Sequence, residues 1–213
     1  APFLIFGPTY KHLEQLYNTL SMVNDSTLTL NVLHSAIDIE DCMRSLETAS
    51  RDKNRRHVLL ASAIADSSVT IPGVTCVIDL CRSLEVRYDI SKRKYDAKTV
   101  WCSASIADQR KGRTGRTCPG RVFRFVHESF FIRQLEQWDV PQLSMSSCHN
   151  EVLGIVCADK KLRVEDPRGF FDECLDPPES NVIDDSIAYL IEIGACREVF
   201  KRNARLSTIK VLP

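Results

Sequence analysis

The segment most suggestive of chemistry is the octamer Gln109-Arg-Lys-Gly-Arg-Thr-Gly-Arg116. Its arginines recur every three residues, with glycines between them, at Arg110, Gly112, Arg113, Gly115 and Arg116. Arginine carries a permanent charge and forked donors that suit phosphate oxygens, and glycine lets the backbone approach a ligand closely. Because three residues make just under one helical turn, the arginines could face a single anionic site or split between two. A solvated basic turn is the alternative interpretation.

Gln109 opens the octamer and adds a second kind of chemistry. A carboxamide can donate to and accept from a water molecule, and glutamine orients the attacking water in some phosphoryl-transfer sites. The octamer could therefore combine fixed cations with a water-positioning group.

A second polar segment covers residues 60–79 and reads as strand, loop and strand. The loop is rich in Ser, Thr and Asp, and it follows a buried strand. Open α/β sheets bind ligands at the carboxyl ends of their strands, so this loop is a candidate binding segment. An ordinary connection whose hydroxyl groups cap a helix is the alternative.

The elements that must position these segments alternate between strands and helices. Apolar or β-branched runs predict strands at Phe3–Phe6, Leu28–Leu33, 57–61 and 74–79. Apolar spacing of i, i+3, i+4 and i+7 predicts helices at 9–22 and 39–49, and a third from about Ser105. Such alternation predicts an α/β fold with a parallel sheet covered by helices on both faces.

Charge is distributed unevenly, and this divides the chain. Residues 82–124 hold 12 Lys/Arg against 4 Asp/Glu, whereas residues 151–198 hold 5 against 12. Residues 82–102 predict a hairpin with a basic tip at Lys92-Arg93-Lys94. Beyond Asp139-Val140-Pro141 the chain becomes acidic and helix-like, so we place a domain boundary near residue 140.

Composition excludes several classes of protein. The chain has 213 residues and zero net charge, so it is not a polybasic protein as a whole. The sequence contains no 18-residue apolar run of the kind that indicates a membrane span, and its first residues lack the pattern of a signal peptide. Ala1-Pro2 leads directly into a strand, which suggests a segment of a longer protein. The nine cysteines form no C-x-x-C pair, so we expect buried thiols in an intracellular compartment, nuclear or cytoplasmic, and no metal site.

Together the two polar segments resemble motifs V and VI of the DEAH/DExH-box RNA helicases. Motif VI of that family reads Q-R-x-G-R-x-G-R, and every fixed position matches residues 109–116. Motif V reads approximately A-T-N-I-A-E-T-S-L-T-I-x-G-V, followed by a strand that ends in Asp. The matching residues are Ile64, Ala65, Ser68, Thr70, Ile71, Gly73 and Asp79. The likeness is strongest to the plant-type DExH-box subgroup that carries a CCCH zinc finger.

This resemblance implies a RecA-like parallel sheet at 1–139, with the hairpin at 82–102, followed by a small, mostly helical winged-helix domain at 140–213. The sequence contains neither G-x-x-x-x-G-K-[ST] nor D-E-x-H, and in the family these motifs belong to the first RecA-like domain. The resemblance thus implies the C-terminal motor half of an ATP-dependent RNA helicase, inactive without that first domain. ATP with Mg²⁺ would be held mainly by the absent domain.

Site residues also follow from the resemblance. Gln109 would position the attacking water, and Arg113 and Arg116 would act as arginine fingers. Nucleotide-binding residues would be Ser68, Thr70, Gly112 and Gly115. RNA-binding residues would be Ser35, Ser62, Arg82, Arg87, Lys92 and Arg93. Leu46 and Pro72 depart from the family's usual aromatic and acidic residues, which leaves nucleotide selectivity open.

Two other functions remain open at this point. The chain could be a non-catalytic RNA-binding or scaffolding module that retains the helicase fold, or part of a DNA helicase of related architecture. Neither the RNA substrate nor a protein partner follows from the sequence, and no membrane association is expected.

Overall fold

The computed structural model describes most of the chain, with short gaps. The described residues are 2–23, 25–35, 37, 40, 44, 55–67, 71–116, 118–158, 166–200 and 207–211. Most of the helix predicted at 39–49 lies outside them, with only Glu40 and Arg44 described, and Leu46, Ser68 and Thr70 lie outside them as well.

The described chain divides into two compact units. The first comprises residues 1–85 and 98–139, and the second comprises residues 86–97 and 140–213. The outer part of the predicted hairpin therefore belongs to the second unit, whereas the sequence assigned the whole hairpin to the first domain.

A five-stranded, fully parallel sheet forms the centre of the first unit. Its strands are β1 (Phe3–Phe6), β2 (Leu28–Leu33), β3 (Arg56–Ala61), β4 (Cys76–Asp79) and β7 (Arg121–Arg124), in the order β2-β3-β1-β4-β7. The predicted parallel α/β sheet is confirmed. Buried aliphatic and aromatic side chains cover both faces of the central strands, with Leu4, Phe6 and Leu59 on one face and Ile5, Val58 and Leu60 on the other.

Helices follow the strands of this unit, and three of them begin next to a side chain that caps the helix. Helix α1 spans Tyr10–Ser21, and the Thr9 side chain accepts a hydrogen bond from the backbone N–H of His12, as an N-cap residue does. The remaining helices are α2 (Ile64–Ser67), α3 (Ala104–Lys111, capped by Ser103) and α4 (Glu128–Gln134). The predicted helix near Ser105 is therefore confirmed, and it ends at Lys111.

Strands β5 (Arg82–Asp89) and β6 (Lys94–Trp101) form a separate two-stranded sheet. The predicted hairpin is thus present. Its turn ends at Arg93, whose φ of 48° lies in the left-handed region.

The second unit is mostly helical. It contains a 3₁₀ turn (Gln142–Met145), α5 (His149–Cys157), α6 (Pro167–Asp172), α7 (Ser180–Glu192), and the antiparallel pair β8 (Cys196–Phe200) and β9 (Ser207–Val211). Val152, Phe171, Ile187, Leu190 and Ile209 belong to its core. Helices followed by an antiparallel pair are compatible with a winged helix, which stays a prediction. None of the helices in the described ranges has the length and apolarity needed to cross a bilayer.

Candidate functional site

Arg110 lies at the centre of a buried ionic cluster in the first unit. It is 1% exposed, and its guanidinium donates from Nε to Asp66 Oδ1 at 2.9 Å and from Nη1 to Asp79 Oδ1 at 2.9 Å. Further bonds reach the Arg82 carbonyl at 3.1 Å and Ser83 Oγ at 3.2 Å. One side chain thus connects α3 to α2, to the end of β4 and to the first residues of β5.

Opposing electrostatic effects act inside this cluster. Burial alone would lower the pKa of Arg110, but the carboxylates of Asp79 and Asp66 raise it above its ordinary value. Burial raises the pKa of Asp66, and the neighbouring Arg110 acts in the opposite direction. The guanidinium stays charged, and its removal would leave two carboxylates in a dry environment.

The three arginines of the octamer do not share one environment. Helix α3 ends at Lys111 with Gly112 as its C-cap, so only Arg110 is helical. Of the two arrangements that the spacing left open, the structure shows the arginines split between environments, because the chain leaves the helix between Arg110 and Arg113. Arg110 is occupied by buried carboxylates, which removes it from the set that could meet a phosphate.

Gln109, Arg113 and Arg116 differ in exposure. Gln109 and Arg116 are exposed, and the Arg116 Nε donates to the Gly112 carbonyl at 2.7 Å. Arg113 is 8% exposed, and its Nη2 donates to the Asp66 carbonyl. Burial, followed by repulsion from Arg116, lowers the pKa of Arg113. Arg116 and Gln109 therefore present a guanidinium and a carboxamide to solvent, whereas the Arg113 guanidinium is held by the backbone of α2.

The loop that carries Arg113 and Arg116 depends on glycine and threonine. Gly115 has a φ of 78°, a backbone conformation that residues other than glycine rarely adopt. Thr114 Oγ1 donates to the Val74 carbonyl at 2.6 Å, which ties the loop to the segment before β4. Gly120 packs so closely on Thr114 that a Cβ at Gly120 would lie 2.9 Å from the Thr114 Cβ.

The predicted RNA-side residues of the first unit follow strand ends. Ser35 follows β2 and is exposed, whereas Ser62 follows β3 and is 6% exposed. Arg82 begins β5, and its guanidinium lies 3.7 Å from the ring centroid of Trp101. A cavity of about 460 Å³ opens beside this pair at the carboxyl edge of the sheet, and its lining includes His12 and Phe125.

The predicted RNA-side residues of the second unit lie on the hairpin, and carboxylates already engage two of them. Lys92 Nζ lies 2.6 Å from Asp89 Oδ2 and 3.0 Å from Asp96 Oδ2. Arg93 lies 2.9 Å from Asp185 and 2.6 Å from Glu192, both on α7. Arg87 on β5 is exposed. A phosphate that approaches Lys92 or Arg93 must compete with these partners.

The family is decided by comparison with known proteins. The model of the helicase conserved C-terminal domain matches residues 1–118. The chain belongs to the helicase C-terminal domain family. The resemblance to the DExH-box RNA helicases is confirmed by relatives over most of the chain.

Two curated relatives are plant proteins. The DExH-box ATP-dependent RNA helicase DExH8 of Arabidopsis thaliana is 40% identical over 195 residues, which is 92% of this chain and 19% of that protein. The zinc finger CCCH domain-containing protein 4 of Oryza sativa subsp. japonica is 41% identical over 192 residues, which is 90% of this chain and 18% of that protein. This helicase C-terminal domain thus spans about a fifth of each relative.

Solved structures show the same fold. A crystal structure of the Escherichia coli DEAH/RHA helicase HrpB superposes with a TM-score of 0.79 and 23% identity, over 92% of this chain and 24% of that one. A second structure, of the E. coli DExH-box NTPase HrpB, gives a TM-score of 0.73 and 22% identity over 92% of this chain and 23% of that one. The RecA-like sheet predicted from the motifs is confirmed.

The helicase motifs V and VI meet through residues that were not named as site residues. Asp66 of motif V and Asp79 at the end of the next strand both bind Arg110 of motif VI. The sequence could have indicated part of this contact, because Asp79 ends an otherwise apolar strand and a buried carboxylate needs a cation. The stacking of Arg82 on Trp101 was also missed, since sequence spacing alone does not give the register of a hairpin.

Proposed function

We propose that this helicase C-terminal domain is the second half of an ATP-dependent RNA helicase motor and acts only together with a first RecA-like domain. The observation that carries the proposal is the buried Arg110 cluster, which fixes the start of the motif VI loop while Arg116 and Gln109 remain exposed. Preorganised cations lower a barrier because they are already in place when charge develops on the transferring phosphoryl group.

On the nucleotide side, the roles fall to three side chains. Arg116 and Arg113 would contact the γ-phosphate of ATP, and Gln109 would orient the attacking water. The residues present fit an anionic ligand, because the loop offers an exposed guanidinium and backbone at Gly115, where a Cβ would meet no atom within 4 Å among the described residues. Gly112 and Gly115, with Ser68 and Thr70 of motif V, would complete the nucleotide-binding set. Mg²⁺ would be held mainly by the first domain, and this chain would supply cations to the closed cleft.

On the RNA side, Ser35 and Arg82 of the first unit are best placed to meet a phosphate backbone. Both follow or begin elements at the carboxyl edge of the sheet, and Arg82 is held over an indole beside a cavity. Arg87, Lys92 and Arg93 on the hairpin would add charge. Ser62 is nearly buried, so its predicted backbone contact would require the loop to open.

Turnover in a polypeptide that carries this chain after a first RecA-like domain tests the nucleotide side. Arg116→Ala should reduce ATP hydrolysis by roughly 10³–10⁵-fold, because an arginine finger acts on the transition state. Nucleotide affinity should change by less than about tenfold, because the triphosphate is held elsewhere. Arg133→Ala, which removes an exposed arginine of α4, is the matched control.

The same assay separates the alternatives. A polypeptide that binds RNA but hydrolyses no ATP would indicate a non-catalytic module and overturn the motor proposal. Stimulation by single-stranded DNA equal to that by RNA would replace the RNA helicase with a DNA helicase. Turnover by this chain alone would show that the first domain is not required.

Salt dependence of RNA binding tests the hairpin. Neutralising Lys92, Arg93 and Lys94 should weaken binding, and each lost phosphate contact should reduce the slope of log K against log salt by about 0.7. A control that removes two positive charges elsewhere neutralises Arg197 and Lys210, which are exposed on β8 and β9. Equal affinity and equal slope in the hairpin variant would remove these residues from the interface.

A further inference from the structure

Two thiols and one carboxylate meet at the base of the hairpin, and none of the three is among the residues assigned above to the nucleotide or to RNA. Asp79 ends β4, Cys81 immediately precedes β5, and Cys102 immediately follows β6. The two Sγ atoms and a carboxylate oxygen of Asp79 lie within 4.8 Å of one another. Asp79 and Cys81 are 0% exposed and Cys102 is 3% exposed, so the group is built into the fold.

Hairpin register explains why cysteines 21 positions apart in the chain become neighbours. Glu85 on β5 contacts Lys98 on β6 at 3.0 Å, and the same register continued to the base of the hairpin places Cys81 opposite Cys102. The backbone N–H of Cys102 donates to the Cys81 carbonyl at 3.0 Å, which extends the pairing one residue beyond the strands. The backbones of the two cysteines are therefore held next to one another by a hydrogen bond.

The Asp79 carboxylate provides an independent indication of a ligand. Its Oδ1 accepts from Arg110 Nη1 at 2.9 Å and from the backbone N–H of Cys81 at 2.8 Å. Its Oδ2 is buried and has no hydrogen-bond partner among the residues that the structure describes. A buried oxygen without a donor costs free energy, and a cation would satisfy it.

We propose that Asp79, Cys81 and Cys102 bind one thiophilic divalent cation, for which zinc is the physiological candidate. Two sulfurs and one carboxylate oxygen form a zinc ligand set, and an exchangeable ligand can take the fourth position. Zinc holds sulfur at about 2.3 Å and oxygen at about 2.0–2.2 Å, so tetrahedral ligand atoms lie roughly 3.5–3.8 Å apart, a small adjustment from the present geometry.

Charge balance favours the same assignment. Each thiol loses one proton when it becomes a ligand, so a divalent ion replaces two protons and the net charge of the buried cluster does not change. Arg110 keeps its bond to Oδ1 while the ion takes the unpartnered oxygen. The bound ion would join both strands of the hairpin base to the end of β4.

The test uses the reduced 213-residue chain, stripped of metal and then titrated with zinc or with cadmium. Elemental analysis should give one zinc per chain, and cadmium should produce a sulfur-to-metal charge-transfer band in the ultraviolet. At a zinc concentration near 100 times Kd, Tm should rise by about 5–10 °C, because an ion that binds only the folded state stabilises it.

Variants distinguish this site from the other thiols. Cys81→Gly removes a ligand and suits the φ of 53° at that position, so it should fold at least as well while losing the ion and the Tm shift. Cys102→Ser should also lose both, whereas Cys76→Ser, at a buried thiol in β4 outside the cluster, should keep both. Stoichiometric binding that persists in Cys81→Gly and Cys102→Ser, or no binding by the unaltered chain at micromolar zinc, would overturn the proposal.

Discussion

Removal of the buried guanidinium of Arg110 should lower the stability of the first unit more than the substitution of an exposed side chain does. Arg110→Met keeps most of the side-chain volume but deletes five hydrogen bonds, to Asp66 Oδ1 and Oδ2, Asp79 Oδ1, the Arg82 carbonyl and Ser83 Oγ. Breaking a buried ion pair by removal of one partner costs about 3–5 kcal/mol, because the remaining charge is uncompensated. At about 3 °C per kcal/mol for a unit of this size, Tm should fall by roughly 9–15 °C.

The loss should depend on pH in a defined direction. Burial already raises the pKa of Asp66, and Arg110 opposes that rise, so the variant should raise the pKa further. A carboxyl group whose folded pKa lies above its unfolded pKa contributes stability below the unfolded pKa and loses it as pH increases through the folded pKa. The destabilisation by Arg110→Met should therefore be smaller near pH 5 and larger near pH 7.5, by about 1 kcal/mol or more.

Chemical denaturation at the two pH values provides the measurement. Arg133→Met, which changes an exposed arginine, is the control and should alter stability by less than about 0.5 kcal/mol. Adding Asp66→Asn to Arg110→Met should recover part of the loss, because one uncompensated carboxylate is removed. A cost below about 1 kcal/mol at neutral pH, or an equal cost at both pH values, would refute the role assigned to the cluster.

Three further changes test other parts of the structure. Gly120→Ala should displace Thr114 and with it the motif VI loop. Turnover in the two-domain polypeptide should therefore decrease with little change in RNA affinity, and unchanged kinetics would contradict the tight contact. Asp185→Asn removes a partner of Arg93 and should tighten RNA binding about two- to fivefold at low salt; weaker binding would show that the ion pair orders the hairpin for RNA. Leu190→Ala should destabilise the second unit by about 2–5 kcal/mol in denaturation, and a loss below about 1 kcal/mol would show that its core repacks.

The sequence predicted those parts of the fold that depend on local pattern. Apolar β-branched runs identified β1, β2 and β4, and the Thr9 cap identified the start of α1. These features could be predicted because strand burial and helix capping are set by residues within a few positions of one another.

The arrangement of the arginines could not be predicted in the same way. Arg110 and Arg116 belong to one motif, yet the first is buried between Asp66 and Asp79 and the second is exposed. This difference arises from contacts 31 and 44 positions away in the chain, and residue spacing carries no information about them. The meeting of Cys81 with Cys102 was missed for the same reason, since it depends on hairpin register.

The Arg110 cluster also changes what the regular spacing of the octamer means physically. If all three arginines faced a phosphate, their mutual repulsion in the absence of ligand would have to be screened by solvent. Burial of Arg110 against two carboxylates compensates its own charge and holds α2, α3, β4 and the start of β5 together, whereas Arg113 and Arg116 still repel one another. Arg116 stays exposed, with its Nε on the Gly112 carbonyl, and under the proposed function it is the guanidinium that would meet a ligand arriving from outside the chain.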